Sequence, residues 1–388
     1  MSLIKNSPSW AVDEHKMFAD STRRLFDAEM APNIDKWARQ GIVDRDFWKT
    51  VGQQGVMGGS IAEEYGGFGG GIGFDAITVY EQGRTGDMSW GYGIQSIVIH
   101  YLNAYGSEEQ KKKWLPKLVS GDHVATIAMT EPGPGSDLQN LQNLQTYAEK
   151  DGNHYKINGS KIFITNGHAA DLVVIGAKTD RNAGAKGVSL IVLETEGAEG
   201  FRRGRNLKKL GMKGSDTAEL FFEEVRVPTS NLLGPEEGQG FYQLMKQLPW
   251  ERLMIGIAAL GFIDFAIAET VKYIQDRKAF GSRIMDFQNT RFKLAECKTK
   301  AELLRSFVND GLARLKEGEL DAATASMAKW WGSQTQNEVM YECLQLQGGH
   351  GFTMEYPIAR LYADSRVQMI HGGTNEIMKE LIARSMDV

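Results

Sequence analysis

The sequence predicts an α+β protein, mainly α, in which an N-terminal helical domain and a C-terminal helical bundle flank a middle antiparallel β domain. Three observations carry the prediction. Apolar spacing is mostly helical from about His15 to Ser120, as in FADSTRRLFDAEM and EEQKKKWLPKLV. Between Val124 and Val227 it changes to short alternating runs rich in Val, Ile, Phe and Thr. From Gly240 onward the helical period returns in three long stretches.

Taken in chain order, the first helical part is broken by EEYGGFGGG at Glu63 to Gly71. This segment lacks the Lys-Ser/Thr of a phosphate loop and the GxGxxG spacing after a strand, so a tightly turned connection is expected. In the middle part HYKI, KIFIT, DLVVIGA, GVSLIVLE and AELFFEEVRV read as strands. Asn158-Gly159 separates HYKI from SKIFIT and predicts a hairpin there, because both residues tolerate the positive φ that two-residue hairpin turns need. The last part reads as helices over roughly Phe241 to Asp276, Asp286 to Lys316 and Leu320 to Leu346.

Two glycine-rich interruptions stand in this final helical sequence: LQLQGGHGF from Leu344 and IHGGTNEIMKELIAR from Ile370 to Arg384. A glycine inside a helix costs about 1 kcal/mol against alanine, so such clusters suggest close backbone contact with a ligand or another chain. Thr374 is a candidate N-cap, and the helix start behind it suits an anion or a polarised carbonyl. A C-cap followed by a new helix accounts for the same residues.

The 388 residues suffice for two or three domains. Hydrophobic content of 42% and charged content of 24% are ordinary for a globular protein, and a net charge of −5 argues against nucleic acid as the main partner. The opening MSLIKNSPSWAVDEHK lacks a basic start before an apolar core, so no secretory signal is expected. Without an evident run of about 18 apolar residues, no membrane span is expected either, and the reading is cytoplasmic. Cys297 and Cys343, 46 positions apart, form no CxxC and are expected to be buried thiols without a nearby partner in a reducing compartment.

Several motifs together are specific where none is alone: MTEPGPGSD at Met129, IFITNG at Ile162, AELFFEEVRVP at Ala218, QDRKAFG at Gln275, LQLQGGHGF and IHGGTNEIMKELIAR. Along its whole length the chain resembles the acyl-CoA dehydrogenase family of flavoproteins, most closely its long-chain branch. The resemblance implies an N-terminal helical domain over 1–126, a middle β domain over 127–236 and a C-terminal four-helix bundle over 237–388. It also implies FAD as cofactor, an acyl-CoA substrate, electron-transfer flavoprotein as acceptor, and a homotetramer arranged as a dimer of dimers.

The chemistry of such an enzyme sets what the residues must do. The acyl thioester loses an α-proton and a β-hydride, giving a trans-2-enoyl-CoA. A base near the α-carbon and donors on the thioester carbonyl are required. Short- and medium-chain relatives carry a glutamate directly before the Gly-Thr of the last motif, where this chain has Gly372. Long-chain and isovaleryl-type members place it in a Glu-Arg-Leu context on the first long C-terminal helix, and LPWERLMIGIAALG puts Glu251 there. By resemblance Glu251 is the base and the Gly372 N–H helps bind the thioester carbonyl. From the residues alone, Glu251 reads either as a carboxylate partly desolvated by the apolar run after it or as an acidic residue of a first helical turn.

The same carry-over assigns Met129, Thr130, Gly135 and Ser136 to the isoalloxazine edge, with Ser136 also near the CoA moiety. Phe163, Ile164 and Thr165 match the segment covering the flavin; the family often has tryptophan at the Phe163 position, so stacking is expected without an indole hydrogen bond. Arg277, Gln288, Gln345, Gly348 and Gly349 resemble residues that a neighbouring subunit lends to the FAD pyrophosphate and adenosine, and Thr374 and Glu376 match the final motif's cofactor contacts. Tyr242, Pro249, Arg252 and Gly373 are the remaining substrate candidates. The basic run Arg202 to Gly214 reads as a solvated loop or a phosphate attractor. Gly91, Gly93 and Gly256 are candidates for opening an acyl channel. A branched-chain isovaleryl-type dehydrogenase, an acyl-CoA oxidase and a flavin-binding scaffold without catalysis are the alternatives; the retained Glu251 counts against the last, and the 388-residue length against the oxidase.

Overall fold

The computed structural model describes residues 2–5, 7–133 and 143–386. Six helices open the chain: α1 (Asp13–Leu25), α2 (Ile34–Gln40), α3 (Arg45–Gln53), α4 (Ile72–Gly83), α5 (Tyr92–Tyr105) and α6 (Glu108–Val119). In α4 every residue from Gly73 to Gly83 is buried, because its neighbours cover it on all sides and it is apolar nearly all round. The start of α6 is set by a capping box, in which the Ser107 hydroxyl accepts from the Gln110 N–H and the Gln110 amide oxygen accepts from the Ser107 N–H.

The middle region holds β1 (Ala125–Ala128), β2 (Tyr147–Asp151), β3 (His154–Thr165), β4 (Leu172–Lys178), β5 (Val188–Glu194), β6 (Phe201–Asn206) and β7 (Thr217–Pro228). Their order is β1-β4-β2-β3-β7-β6, with β5 also on β4. The sheet is mixed rather than wholly antiparallel, since β1 and β2 each run parallel to β4. Alternation reports which face a residue takes and is silent on strand direction.

The Asn158-Gly159 hairpin does not form. These residues sit inside the continuous strand β3 as a bulge opposite β7, and a Cβ on Gly159 would lie 2.5 Å from Thr146 Oγ1. The Asn158 amide oxygen accepts from the N–H of Glu224, a residue at φ +52 on the facing strand. The turn is six residues earlier, where Gly152-Asn153 joins β2 to β3 with Gly152 at φ +64. The basic run is likewise structured: Arg202 to Asn206 belong to β6, Arg203 donates to the Gly167 and Ala170 carbonyls, and Arg202 lies over the Phe221 ring.

The C-terminal region comprises α7 (Gly240–Asp276), a short hairpin of β8 (Lys278–Ala279) and β9 (Ser282–Arg283), α8 (Gln288–Lys316), α9 (Ala322–Gly351), α10 (Pro357–Ser365) and α11 (Asn375–Arg384). Three long helices form the bundle, and the two short ones, α10 and α11, pack on α9 in the fourth position. Gly256 of α7 and Gly332 of α9 meet so closely that a Cβ on Gly332 would lie 3.0 Å from the Gly256 Cα. By length and apolarity α7 qualifies as a membrane-crossing helix, contrary to the expectation that no such run exists, but 78% of its apolar window is buried inside the fold. Cys297 and Cys343 are buried free thiols, yet they lie close enough across α8 and α9 to perturb each other's titration. Their separation in sequence hid a shared level in two paired helices.

One large core runs through the N-terminal helices, the inner side of the sheet and the C-terminal bundle, while a second is enclosed mainly by strand residues such as Ile157, Val173, Leu220 and Val225. A buried Asp264–Arg305 ion pair at 2.6 Å, with the Tyr80 hydroxyl donating to the same carboxylate, ties α4, α7 and α8 together.

Candidate active site

Glu251 lies in the twelfth position of α7, well inside the helix, so the reading as a first-turn acid is excluded. Pro249, two residues earlier, is inside the same helix and supplies no N–H to the i−4 carbonyl, which loosens the ladder at this turn. The Glu251 side chain is half-buried and does not extend into bulk solvent. Burial pushes its carboxyl up to about 7; the Tyr101 hydroxyl, donating to Oε1 at 2.9 Å, and the Arg252 charge act in the opposite sense.

The glycine turn before α11 meets the same face of α7. A Cβ on Gly372 would lie 2.6 Å from Ile255 Cδ1, and Ile255 stands one helical turn from Glu251. Gly372 and Gly373 both have positive φ, +65 and +89, a conformation that L side chains rarely adopt. The space a side chain would take at 372 is thus closed by Ile255 of α7, one helical turn beyond Glu251. The turn is held from below: Thr374 caps α11 by accepting from the Ile377 N–H, and the Asn375 amide oxygen accepts from Lys329 Nζ at 3.0 Å and Ser333 Oγ at 2.9 Å. Burial lowers Lys329 to about 8. Glu376 is exposed in the first turn of α11, and the half-buried Gly373 adjoins Gly372.

Arg252 points the other way. It is buried, with Nη1 3.4 Å from Ser326 Oγ of α9, so it supports the helix pair and does not reach the open mouth where Tyr242 is half exposed. Of the three channel glycines only Gly93 faces room, its nearest neighbour being Met254 Sδ at 3.8 Å from a built Cβ. A Cβ on Gly91 would strike Asn166 at 1.9 Å, and one on Gly256 would reach the Ala328 carbonyl at 2.9 Å. Those two are packing glycines.

A second group forms at the edge of the sheet. Thr130 O accepts from the Ile162 N–H and Met129 O from Lys161 Nζ, pinning the Met129-Thr130 segment beside β3. A second bulge lies between Lys161 and Ile164, and it leaves Phe163 at φ +60 with 64% of its surface exposed. A bulky residue at positive φ is strained, and a bare aromatic ring held in that state is the expected signature of a surface built for a flat ligand. Ile164 turns into the strand core and has only backbone to offer, whereas Thr165 is half-buried on the other side. Gly135 and Ser136 lie outside the described residues.

The third group is remote from Glu251. Arg277, Gln288, Gln345, Gly348 and Gly349 are all exposed, at the end of α7, the start of α8 and the end of α9. Gln347 donating to Thr270 and Tyr273 paired with His350 at 2.9 Å bring these helix ends together. A Cβ built on Gly348 or Gly349 meets nothing, so neither glycine serves packing within the protomer.

Comparison with known proteins fits this three-part arrangement. Family models described as the acyl-CoA dehydrogenase N-terminal, middle and C-terminal domains match residues 12–122, 126–225 and 238–386. The chain belongs to the acyl-CoA dehydrogenase family. A long-chain specific acyl-CoA dehydrogenase, named as mitochondrial, from Sus scrofa is 48% identical over 96% of this chain and 86% of its own length. The crystal structure of an acyl-CoA dehydrogenase from Geobacillus kaustophilus superposes with a TM-score of 0.95 at 43% identity, over 98% of this chain and all of that one. A glutaryl-CoA dehydrogenase from Mycobacterium smegmatis, solved in complex with FADH2, superposes at 0.90 with 26% identity, over 99% of this chain and 97% of that one. The protein is an oxidoreductase of an FAD-dependent family.

Sequence reasoning missed three supporting residues of this acyl-CoA dehydrogenase site: Tyr101, Glu131 and Lys161. Tyr101 is a fully buried tyrosine in an apolar helix, and such a hydroxyl needs a partner, so its presence in SIVIHYLNAY was a readable signal. Lys161 shares the inward positions of Tyr155 and Ile157 in β3, which marks it as a buried lysine requiring a counter-charge.

Proposed function

We propose that this acyl-CoA dehydrogenase oxidises a medium- to long-chain acyl-CoA to its trans-2-enoyl-CoA, with Glu251 as the base and an electron-transfer flavoprotein as electron acceptor. The observation that carries the reading is the half-buried Glu251 carboxylate, raised to about 7, one helical turn from the Ile255 that fills the side-chain space of Gly372. A carboxylate poised there is about half ionised at neutral pH and basic enough to take an acidified α-proton. The Gly372 and Gly373 N–H groups and the start of α11 supply partial positive charge where the thioester oxygen gains electron density. FAD, when bound, would supply the acceptor for the β-hydride. Phe163, Met129 and Thr130 form the surface against which the ring system would lie, and the exposed Phe163 ring fits it.

Along α7 the distance from Glu251 to Arg277 is roughly 39 Å at 1.5 Å per residue, too far for both to serve one reacting centre. By resemblance to the family, the exposed Arg277, Gln288, Gln345, Gly348 and Gly349 are assigned to a second subunit's FAD, in a homotetramer whose chains divide near residues 126 and 236; their exposure at the helix ends is compatible with that role.

The test is anaerobic titration of the purified holoenzyme with short, medium, long and branched acyl-CoAs, following flavin absorbance. Medium and long straight chains should bleach it. Glu251→Gln should bind FAD and enoyl-CoA yet lose bleaching by about a thousandfold or more; reduction at the parent rate would refute the assignment of the base.

A further inference from the structure

We propose that Tyr101 is a positioning residue for the Glu251 carboxylate, the last rung of a ladder that joins α5 to α7. The inference rests on Glu251 being the base. Tyr101 and Tyr105 are one turn apart on α5, and Gln243, Gln247 and Glu251 follow one another at single-turn spacing on α7, so each set occupies one helix face. The Tyr105 hydroxyl donates to the Gln243 carbonyl at 3.2 Å and accepts from Gln247 Nε2 at 3.3 Å. The Tyr101 hydroxyl donates to Glu251 Oε1 at 2.9 Å. The Tyr101 ring is wholly enclosed, and its edge meets Tyr105 with ring centres 6.0 Å apart, which leaves its hydroxyl one orientation.

The ladder matters because α7 is weakened at this point. Pro249 removes a backbone bond two residues before Glu251, and the glycine turn on the other side offers no side chain to hold the carboxylate. Tyr101 fixes Oε1 and leaves Oε2 as the oxygen free to take a proton. The other charged or titratable groups near this carboxylate are His100 and Tyr105 from α5 and Arg252 from α7 itself; Asp75 of α4 stands behind His100 at 3.9 Å. Among them the Tyr101 hydroxyl has the hydrogen bond to the carboxylate. A neutral donor on the ionised form favours that form, so its loss moves the titration of Glu251 upward.

The experiment is Tyr101→Phe in the FAD-loaded protein, with the rate of flavin bleaching by a saturating long-chain acyl-CoA measured across about pH 5.5 to 9. The limiting rate should fall roughly tenfold, the half-saturating acyl-CoA concentration should change less than about twofold, and the rising limb should move up by roughly one pH unit. Tyr105→Phe, which leaves the bond to the carboxylate in place, should keep the limb where it is in the parent. A limb unmoved in Tyr101→Phe, or a loss confined to half-saturation, overturns the proposal. A second measurement needs no tyrosine variant: the ultraviolet difference spectrum of the parent should show the band of a buried, un-ionised tyrosine shifting in step with the rate limb as Glu251 gains its charge, and Glu251→Gln should abolish that signal. Absence of the signal in the parent overturns the proposal as well. A parent that no acyl-CoA reduces would sink the assigned reaction, while the difference spectrum would still decide whether Tyr101 responds to Glu251.

Discussion

Glu251, the proposed base, is a carboxylate that burial holds against its own preference. Its carboxyl is raised from 4.5 to about 7, chiefly by burial. The folded protein therefore holds this proton more tightly than the unfolded chain does, and the resulting stabilisation is full below the unfolded value and is lost as pH rises through about 7. At pH 8 the ionised carboxylate opposes folding by at most roughly 3 kcal/mol. Replacing it with glutamine is expected to raise the melting temperature at pH 8 and to have little effect near pH 4.5, as thermal unfolding at the two pH values will show. An equal shift at both would mean that burial does not strain this group. The bleaching rate of the parent, in contrast, should rise with pH through about 7, because only the ionised form accepts the α-proton. Gly372 belongs to the same argument: Gly372→Ala must accommodate φ +65 and a contact 2.6 Å from Ile255, so a loss of about 1 to 3 kcal/mol in denaturant unfolding is expected.

In β3 a buried ion pair does the work that sequence patterning could not. Lys161 Nζ bonds Glu131 at 2.9 Å and the Met129 carbonyl at 3.0 Å, and the Glu131 carboxylate also accepts from the N–H groups of Gln145 and Thr146. The pair thereby staples both ends of the segment between Glu131 and Gln145 to the strand that presents Phe163. Burial brings Lys161 down to about 8 while Glu131 lies below the ordinary carboxylate range. Lys161→Met would leave Glu131 buried and unpaired, which is expected to cost about 3 to 5 kcal/mol in chemical denaturation. A cost below about 1 kcal/mol would show that the carboxylate finds another partner. Lys161→Met should also weaken FAD retention, because Met129 and Thr130 lose their anchor beside the bulge.

Over the full length of the chain, the proposed sharing of FAD between subunits makes subunit association a condition of cofactor retention. Dilution that dissociates the assembly should release FAD in parallel, and Arg277→Ala should lower the FAD-to-protein ratio after gel filtration without altering the secondary structure seen by circular dichroism. Sedimentation with simultaneous flavin absorbance checks this: FAD sedimenting with an isolated protomer would contradict the shared site.

Element type and the motif residues were legible in the primary structure, because periodicity, caps and glycine clusters are local properties. The helices, most strands, the Thr374 cap and the Glu251 slot all follow from neighbours within a few positions in the chain. Strand direction, the bulge at Gly159, the meeting of Cys297 with Cys343, the inward turn of Arg252 and the bonds from Tyr101 and Lys161 were not. Each depends on two segments far apart in sequence arriving at one place. Packing of α5 and the last glycine turn around α7 is what enclosed Glu251, and desolvation exists only once those distant surfaces exclude water together.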